Sequence, residues 1–221
     1  MQRGKGRSLY CSRDRLLHSR CRTAEYQNLR LRRNAVIDIY VVTGFAGSGK
    51  TTFINRVLEQ FDQHTAVIIN DEGDEKLDEK FSQSLCVEYV LGGCICCTLI
   101  AKFREAVRRM ASQVKPDRII IEASGLGKVT DVVKAVDKLA GEGFDLNVRQ
   151  IVTMVDVNEY TIFSRGLGDF YMDQIKNAGA VILTHGDELE DESEMEDVKR
   201  EIGSVNSTAQ IFRSISEFNR F

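Results

Sequence analysis

The sequence predicts an α/β fold in which a mostly parallel β-sheet is flanked by helices on both faces. Short apolar runs rich in Val and Ile alternate with stretches of helical periodicity from residue 36 onward. Strands separated by helices of about 10–15 residues form βαβ units, which build parallel sheets. Several of the apolar runs also end in a glycine or an acidic residue. That pattern is typical of sheets whose strands present ligand-binding loops at their carboxyl edge.

The predicted elements alternate along the chain. We predict strands over residues 36–44, 65–70, 86–93, 117–125, 149–155, 180–184 and 209–212. We predict helices over residues 50–61, 99–114, 128–140, 169–178 and 191–202, and an acidic mobile loop over residues 71–84. Right-handed crossovers would place the loops after the strands at one edge, where we expect the ligand site.

Composition is ordinary for a globular protein, with 43% hydrophobic and 29% charged residues among 221. We expect one domain over residues 34–221, preceded by a basic extension over residues 1–33 that does not fold. This extension holds ten basic and two acidic residues. A mitochondrial transit peptide and a nucleic-acid arm are the alternatives for it, and we base no function on it.

The chain contains no apolar run of about 18 residues, so we expect no membrane partner. Six cysteines, unevenly spaced, are too few for a disulfide framework in a chain of this length. No secretion signal is apparent, and we expect reduced thiols in the cytoplasm. Nucleic acid is not an expected partner.

A complete phosphate-binding motif, G-x-x-x-x-G-K-[ST], lies between the first predicted strand and the first predicted helix. Its glycines allow backbone N–H groups to surround an anion at a helix amino terminus. Lys50 is expected to reach the β- and γ-phosphates, and the Thr51 hydroxyl to bind Mg²⁺. The predicted nucleotide-binding residues here are Gly44, Gly47, Ser48, Gly49, Lys50, Thr51 and Thr52.

Two later strand ends provide candidate Mg²⁺ and catalytic groups. Glu122 ends the fourth predicted strand, where an acid can hold Mg²⁺, and Gly125 can offer its N–H to a γ-phosphate. Asp71 follows the second strand and could face the metal or the attacking water. We therefore assign catalytic roles to Lys50, Asp71 and Glu122.

The segment LTHGDEL, residues 183–189, lies where GTPases recognise the base. Asp187 is placed to accept hydrogen bonds from guanine, and Thr184 and His185 precede it at the strand end. His185 stands where such motifs have lysine and is expected to stack on the base. The expected nucleotide is GTP, with ATP as the open alternative.

Cys94, Cys96 and Cys97 lie within four positions after two glycines. Thiolates favour zinc or Cu(I), with cobalt or nickel as further alternatives, and zinc is the expected ion. A structural zinc site needs four protein ligands, and this segment supplies two or three. An incomplete site suits metal transfer, with Cys86, Asp74 or a second subunit of a homodimer supplying further ligands. A buried Cys96 and a Cys94–Cys97 redox pair are the alternatives.

The segments TGFAGSGKTT, IIND-G, GGCICCTL, IIIEASGL and QIKNAGAVILTHGDEL together resemble the CobW-type GTPases, which are grouped with HypB and UreG. The resemblance spans roughly residues 36–213. It implies GTP hydrolysis coupled to delivery of a transition metal to a client metalloenzyme or a cofactor pathway such as that of cobalamin. It also implies a metal motif at Cys94, Cys96 and Cys97, with Asp74 as a further ligand.

This chain departs from the family pattern at several positions. Asp71 and Glu72 replace a glutamate and an aromatic residue, and residues 127–129 replace Ala-Asp-Pro. His185 replaces lysine, and the C-terminal domain of larger members is not in this sequence. Two alternative functions remain open: a nucleotide-dependent regulatory module with little hydrolysis, and a kinase-like enzyme with structural cysteines. In the expected arrangement, the acidic loop and the segment 122–127 flank the cysteine segment.

Overall fold

The structure is a computed structural model that describes residues 36–61, 64–71, 76–91, 97–189 and 191–219. The predicted basic extension lies outside the described residues. The strands are β1 (Ile37–Gly44), β2 (Thr65–Asp71), β3 (Cys86–Leu91), β4 (Arg118–Glu122), β5 (Leu146–Asp156), β6 (Ala180–Thr184) and β7 (Gln210–Phe212). The α-helices are α1 (Lys50–Leu58), α2 (Glu79–Ser84), α3 (Cys97–Arg109), α4 (Val129–Gly141), α5 (Tyr160–Gly166), α6 (Gly168–Lys176) and α7 (Glu192–Val205). Short 3₁₀ turns span Gly186–Glu188 and Ile215–Glu217, and a π-helical turn, Met110–Val114, extends α3.

These strands form one sheet in the order β3-β2-β4-β1-β5-β6-β7, and every pairing is parallel. The predicted fold class is confirmed. Parallel sheets are buried on both faces, which explains why the strands are almost continuously apolar. No helix within the described ranges is both long enough and apolar enough to cross a bilayer.

Two apolar layers enclose the sheet. On one face, residues of β1 and β4 such as Ile39 and Ile121 pack with Val107 of α3 and Leu139 of α4. Tyr171 and Ile175 of α6 continue that face over β6.

On the other face, α1 buries Phe53 and Ile54, and Phe218 packs with them. The helices thus cover both faces, and the strand ends leave the carboxyl edge to the loops.

The structure corrects the predicted elements at two places. The acidic stretch predicted as a loop contains α2, which follows a buried Leu77. The side chain of Asn55 in α1 holds that stretch by two hydrogen bonds. It accepts from Asp78 N at 2.9 Å and donates to Lys76 O at 3.3 Å. Helix α5 was not predicted. Its Phe163 stacks on Phe45 with ring centroids 4.3 Å apart, a tertiary contact that local periodicity does not reveal.

The strand order bears on the expectations about the cysteine segment. Among the described strands, β3 lies at an edge, and the end of β2 lies between the ends of β3 and β4. The predicted flanking of the cysteine segment involves residues 72–75 and 92–96, which lie outside the described residues. Cys86 begins β3, about 17 Å from its carboxyl end at roughly 3.3 Å per residue. It is buried in the core, away from the strand end after which the cysteine segment follows.

Candidate functional site

The loop between β1 and α1 has the backbone form of a phosphate-binding loop. Gly47 and Gly49 have φ of +81° and +84°, a region that glycine enters without steric cost. The Phe45 carbonyl accepts from Ser48 Oγ at 2.8 Å and from Lys50 Nζ at 2.7 Å. These bonds hold the lysine ammonium over the loop at the amino terminus of α1, where an anion is favoured.

Thr51 and Glu122, which the sequence analysis proposes as Mg²⁺ ligands, contact each other beside this loop. Thr51 Oγ1 donates to the Glu122 carboxylate, 3.3 Å from Oε1 and 3.2 Å from Oε2. Thr51 is 8% exposed and Glu122 is 7% exposed. A carboxylate buried to this degree needs nearby positive charge, and hydroxyl and carboxylate oxygens are the donors that Mg²⁺ prefers. The residues present therefore fit a bound Mg²⁺.

The loop after β4 packs directly on the phosphate-binding loop. A Cβ placed on Gly125 would lie 2.8 Å from both Gly44 O and Phe45 Cα, so only glycine fits at this distance. Leu126 N donates to Ser124 Oγ at 3.3 Å and Gly127 N to Ser124 O at 3.2 Å. The Gly125 N–H has no hydrogen-bond partner within the described part of the chain. It is available to a ligand next to the phosphate-binding loop.

The end of β6 adjoins the same loop and brings together the predicted base-recognition residues. Thr184 Oγ1 lies 3.3 Å from Ser48 O, which it can reach as a donor. His185 has a left-handed φ of +57°, and its backbone carbonyl accepts from Asn158 Nδ2 at 3.2 Å. Asp187 lies in the following 3₁₀ turn with an exposed side chain. An exposed carboxylate can accept from the N–H groups of a base edge.

His185 also contacts a carboxylate at the end of β5. Its Nδ1 lies 3.1 Å from Asp156 Oδ2, but the angle does not suit a hydrogen bond. The contact is therefore electrostatic. A planar imidazole at this place also differs in shape from the flexible four-carbon stem of a lysine.

Sequence reasoning overlooked two groups at this site. The first is Ile215, in the turn after β7. A Cβ placed on Gly49 would lie 3.9 Å from Ile215 Cδ1 and 3.9 Å from Thr184 Cγ2. Its place after the last strand, at the carboxyl edge, was the available signal. Gln174 of α6 donates to the carbonyls of Gly125 and Gly127. Nothing in the local pattern marks this glutamine, because it lies on a helix far along the chain.

Some predicted residues cannot be placed in the site. Cys94, Cys96 and Asp74 lie outside the described residues. Asp71 ends β2 and Cys97 begins α3, and only their backbone positions are described. Within the described ranges, no group of three or more His, Cys, Asp or Glu side chains could hold a metal ion. Thr52 is described, with an exposed side chain in the first turn of α1.

Described residues on either side of the cysteine segment line a cavity at the end of β4. Val90 of β3 and Ile100 of α3 line one cavity together with Glu122, Ala123 and Ser124. Described residues from the two elements on either side of the cysteine segment therefore share a cavity with the loop after β4.

Tyr171 packs beneath the phosphate-binding loop, its ring edge against Phe45 with centroids 5.6 Å apart. Burial raises the pKa of Tyr171 well above its ordinary value of 10, so its hydroxyl stays neutral at physiological pH. Tyr171 therefore adds no charge beneath the phosphate-binding loop.

The model of the CobW/HypB/UreG nucleotide-binding domain matches residues 38–213 of the chain. The zinc chaperone YeiR of Escherichia coli K12 is 27% identical over 158 residues, covering 70% of this chain and 48% of YeiR. The zinc chaperone CobW of Pseudomonas aeruginosa is 28% identical over 201 residues, covering 76% of this chain and 53% of CobW. The zinc-regulated GTPase metalloprotein activator 1 of Dictyostelium discoideum is 25% identical, with 80% and 46% covered. The chain spans about half the length of these curated relatives.

Solved structures have the same fold. The Zn(II)-bound YjiA GTPase from E. coli superposes with a TM-score of 0.60 at 18% identity, over 82% of this chain and 58% of YjiA. The hydrogenase maturation factor HypB from Archaeoglobus fulgidus superposes with a TM-score of 0.56 at 18% identity, over 92% of this chain and 90% of HypB. At this identity the likeness establishes the fold, a parallel sheet with a phosphate-binding loop after β1.

Proposed function

Because the chain belongs to the CobW/HypB/UreG nucleotide-binding domain family, we propose that it binds and slowly hydrolyses GTP and thereby controls a transition-metal site. One observation supports this most directly. The buried Glu122 carboxylate contacts the Thr51 hydroxyl beside the Lys50 ammonium, at the carboxyl edge of a parallel sheet. That arrangement provides a cation, an Mg²⁺ ligand pair and an anion-binding loop in one place.

The proposed catalysis depends on positioning and charge. Lys50 and the backbone amides of residues 47–51 neutralise the phosphates, and Thr51 with Glu122 holds Mg²⁺. When bound, Mg²⁺ neutralises charge that develops between the β- and γ-phosphates. Glu122 or Asp71 orients the attacking water, and the Gly125 N–H donates to the γ-phosphate. With few groups acting on the water, hydrolysis is slow without a partner.

We propose that the base binds between β6 and the turn after β7. Asp187 accepts from the guanine N–H groups, and the His185 ring, held near Asp156, stacks on the base. Ile215, which lies near Gly49 as Thr184 does, adds an apolar contact to the base. The exposed Asp187 carboxylate supports GTP over ATP, because adenine has no matching pair of donors on that edge.

The transported metal is proposed to be zinc, bound by Cys94, Cys96, Cys97 and Asp74. Thiolate ligands favour this ion, and the relatives YeiR and CobW are named zinc chaperones. With Cys86 at the wrong end of β3, Asp74 or a second copy of the chain is the remaining source of further ligands. The recipient is a client metalloprotein, since a relative is named a metalloprotein activator.

The link between the nucleotide and the metal would pass through the end of β4. Val90 and Ile100 line the same cavity as Glu122 and Ser124. A γ-phosphate that orders residues 122–127 would thus act on both ends of the cysteine segment. Hydrolysis would then release the metal.

The test compares zinc affinity in the two nucleotide states. Zinc titrations of the full chain with Mg-GDP and with a non-hydrolysable GTP analogue should differ at least about tenfold, roughly 1.4 kcal/mol. Lys50→Ala should remove this difference while leaving zinc binding, whereas Cys94→Ala and Cys97→Ala should weaken zinc binding in both states. Equal zinc affinity in the two nucleotide states would contradict the proposal.

A further inference from the structure

One side chain of α6 holds the loop that follows β4. Gln174 is fully buried, with 0% exposure. Its Nε2 donates to the carbonyl of Gly125 at 2.8 Å and to the carbonyl of Gly127 at 3.0 Å. The two hydrogens of one amide group thus fix the peptide carbonyls on either side of Leu126.

The same loop is confined from the opposite direction by the phosphate-binding loop. Gly125 lies so close to Gly44 O and Phe45 Cα that a side chain would not fit between them. Its N–H finds no partner among the described residues. The loop therefore has its carbonyl side bound to α6 and leaves one N–H for a ligand at the phosphate-binding loop.

Helix α6 is itself anchored near this point. Thr153 Oγ1 of β5 donates to the Gln174 backbone carbonyl at 2.8 Å. Asp173 accepts from Thr130 N at 3.1 Å and from Thr130 Oγ1 at 2.9 Å, at the start of α4. Because β5 and α4 fix the helix, the Gln174 amide is a stationary support and not a side chain that follows the loop.

The oxygen of the Gln174 amide indicates that this side chain does more than fill space. Gln174 Oε1 is buried with no hydrogen-bond partner in the described part of the chain. Leaving a buried acceptor unsatisfied costs free energy, which an apolar side chain of similar size would avoid. The two hydrogen bonds from Nε2 are the contribution that only an amide makes here.

We propose that Gln174 is a positioning residue that holds Gly125 against the γ-phosphate, so that the site distinguishes GTP from GDP. This inference rests on the proposed GTP binding, which it deepens. GDP lacks the γ-phosphate and does not reach Gly125. Loss of Gln174 therefore acts on GTP alone.

The experiment measures the affinities of the full chain for a non-hydrolysable GTP analogue and for GDP, with Mg²⁺, together with the rate of GTP hydrolysis. Gln174→Met keeps the length of the side chain and removes both hydrogen bonds. We expect the preference for the GTP analogue over GDP to fall about tenfold, and kcat to fall at least as much. GDP affinity should stay within about twofold of the unmodified chain.

Two further variants separate positioning from stability. Gln174→Glu has the same size but places carboxylate oxygens against two carbonyls, so the preference should fall at least as far as with methionine. If the methionine variant does not fold, this variant provides the same comparison. Ile175→Val removes a buried methylene from the next residue of α6, whose side chain packs in the apolar cluster that contains Val181 and Leu183. It should lower thermal stability and leave the GTP-to-GDP preference unchanged.

The outcomes distinguish this inference from the proposed function. If the unmodified chain binds the GTP analogue more tightly than GDP and the Gln174 variants keep that preference, the inference is wrong and GTP binding stands. If Ile175→Val lowers the preference as much as Gln174→Met does, the effect is one of stability and the inference is also wrong. If the unmodified chain binds no guanine nucleotide, the proposed function and the inference fail together.

Discussion

At the scale of single residues, the candidate site contains one buried carboxylate of particular interest, that of Glu122. Glu122 contacts Thr51 and lies on the last position of β4. A second buried glutamate, Glu88 of β3, forms an ion pair with Arg109 of α3 instead. The two side chains are similar in burial and differ in what they face, which makes them a natural comparison.

We expect Glu122→Gln to lower GTP hydrolysis about 100-fold or more, because the neutral amide is a poor Mg²⁺ ligand and supplies no negative charge. The variant should also require a higher Mg²⁺ concentration for half-maximal rate. Steady-state phosphate release across an Mg²⁺ titration measures both effects. Glu88→Gln is the matched control and should hydrolyse GTP within about twofold of the unmodified rate. Unchanged Mg²⁺ dependence in Glu122→Gln would show that this carboxylate does not hold the ion.

His185 differs physically from the lysine that the family pattern has at this position. The ring lies beside Asp156, and the backbone of His185 is fixed by Asn158. A lysine would bring a permanent charge and a flexible apolar stem to the same place. His185 is therefore one of the positions at which this chain departs physically from the family pattern.

At the scale of secondary-structure elements, the helices at the site end are held by specific contacts at their first turns. Helix α4 begins where Thr130 donates to Asp173 of α6, and α7 begins at a side-chain cap. Helix α7 buries Val198 and Ile202 against the cluster that contains Tyr171. Its cap thus supports the layer that lies under the phosphate-binding loop.

The cap of α7 predicts a pH-dependent stability. Asp191 accepts from Ser193 N at 2.8 Å, and this bond lowers the pKa of Asp191 below its ordinary 3.8. A depressed pKa in the folded state means that the stabilisation is present above the unfolded pKa and is lost as the pH falls through the folded pKa. Asp191→Ala should therefore lower the urea midpoint at pH 7, and the deficit should shrink below about pH 3.8.

Asp191→Asn is the control for this prediction. Asparagine is an equally good cap but carries no charge. It should retain most of the midpoint at pH 7 and lack the acid-dependent change. A deficit in Asp191→Ala that is the same at pH 7 and at acidic pH would rule out the charged cap as its cause.

At the scale of the whole molecule, the candidate ligand site joins both halves of the sheet. The phosphate-binding loop follows the central strand β1, the Glu122 loop follows β4 on one side, and the Thr184 end belongs to β6 on the other. A ligand that contacts all three loops stabilises the folded state of the entire sheet, since unfolding would destroy the site.

We expect a non-hydrolysable GTP analogue, at 100 times its dissociation constant with Mg²⁺, to stabilise the folded chain by about 2.7 kcal/mol. For a chain of this size that corresponds to a rise in Tm of about 5–11 °C. Differential scanning calorimetry measures the shift, and the same nucleotide in Mg²⁺-free buffer should give a smaller one. Lys50→Ala should lose most of the shift. If the same concentration of a non-hydrolysable ATP analogue raised the Tm as much as the GTP analogue does, the proposed base recognition would be contradicted.

The local pattern of the chain was sufficient for the fold class, most strand positions and the phosphate-binding loop. Alternating apolar runs and amphipathic stretches predict βαβ units, and their crossovers bring every strand end to one edge. At this edge Thr51 contacts Glu122, Gly125 packs on the phosphate-binding loop, and Thr184 lies next to Ser48. The cysteine motif was equally visible, although its geometry lies outside the described residues.

Long-range packing settled the remaining points. The order of parallel strands depends on contacts between residues far apart in the chain, so the sequence did not reveal that β3 lies at the edge of the described sheet or that Cys86 is buried at the start of that strand. Helix α5 forms around aromatic contacts to Phe45, and Gln174 reaches Gly125 across 49 positions. A motif records which groups bind a ligand, because they are close in sequence or at strand ends. The groups that hold those residues in place come from whichever helix packs behind them, and only the folded chain shows which one that is.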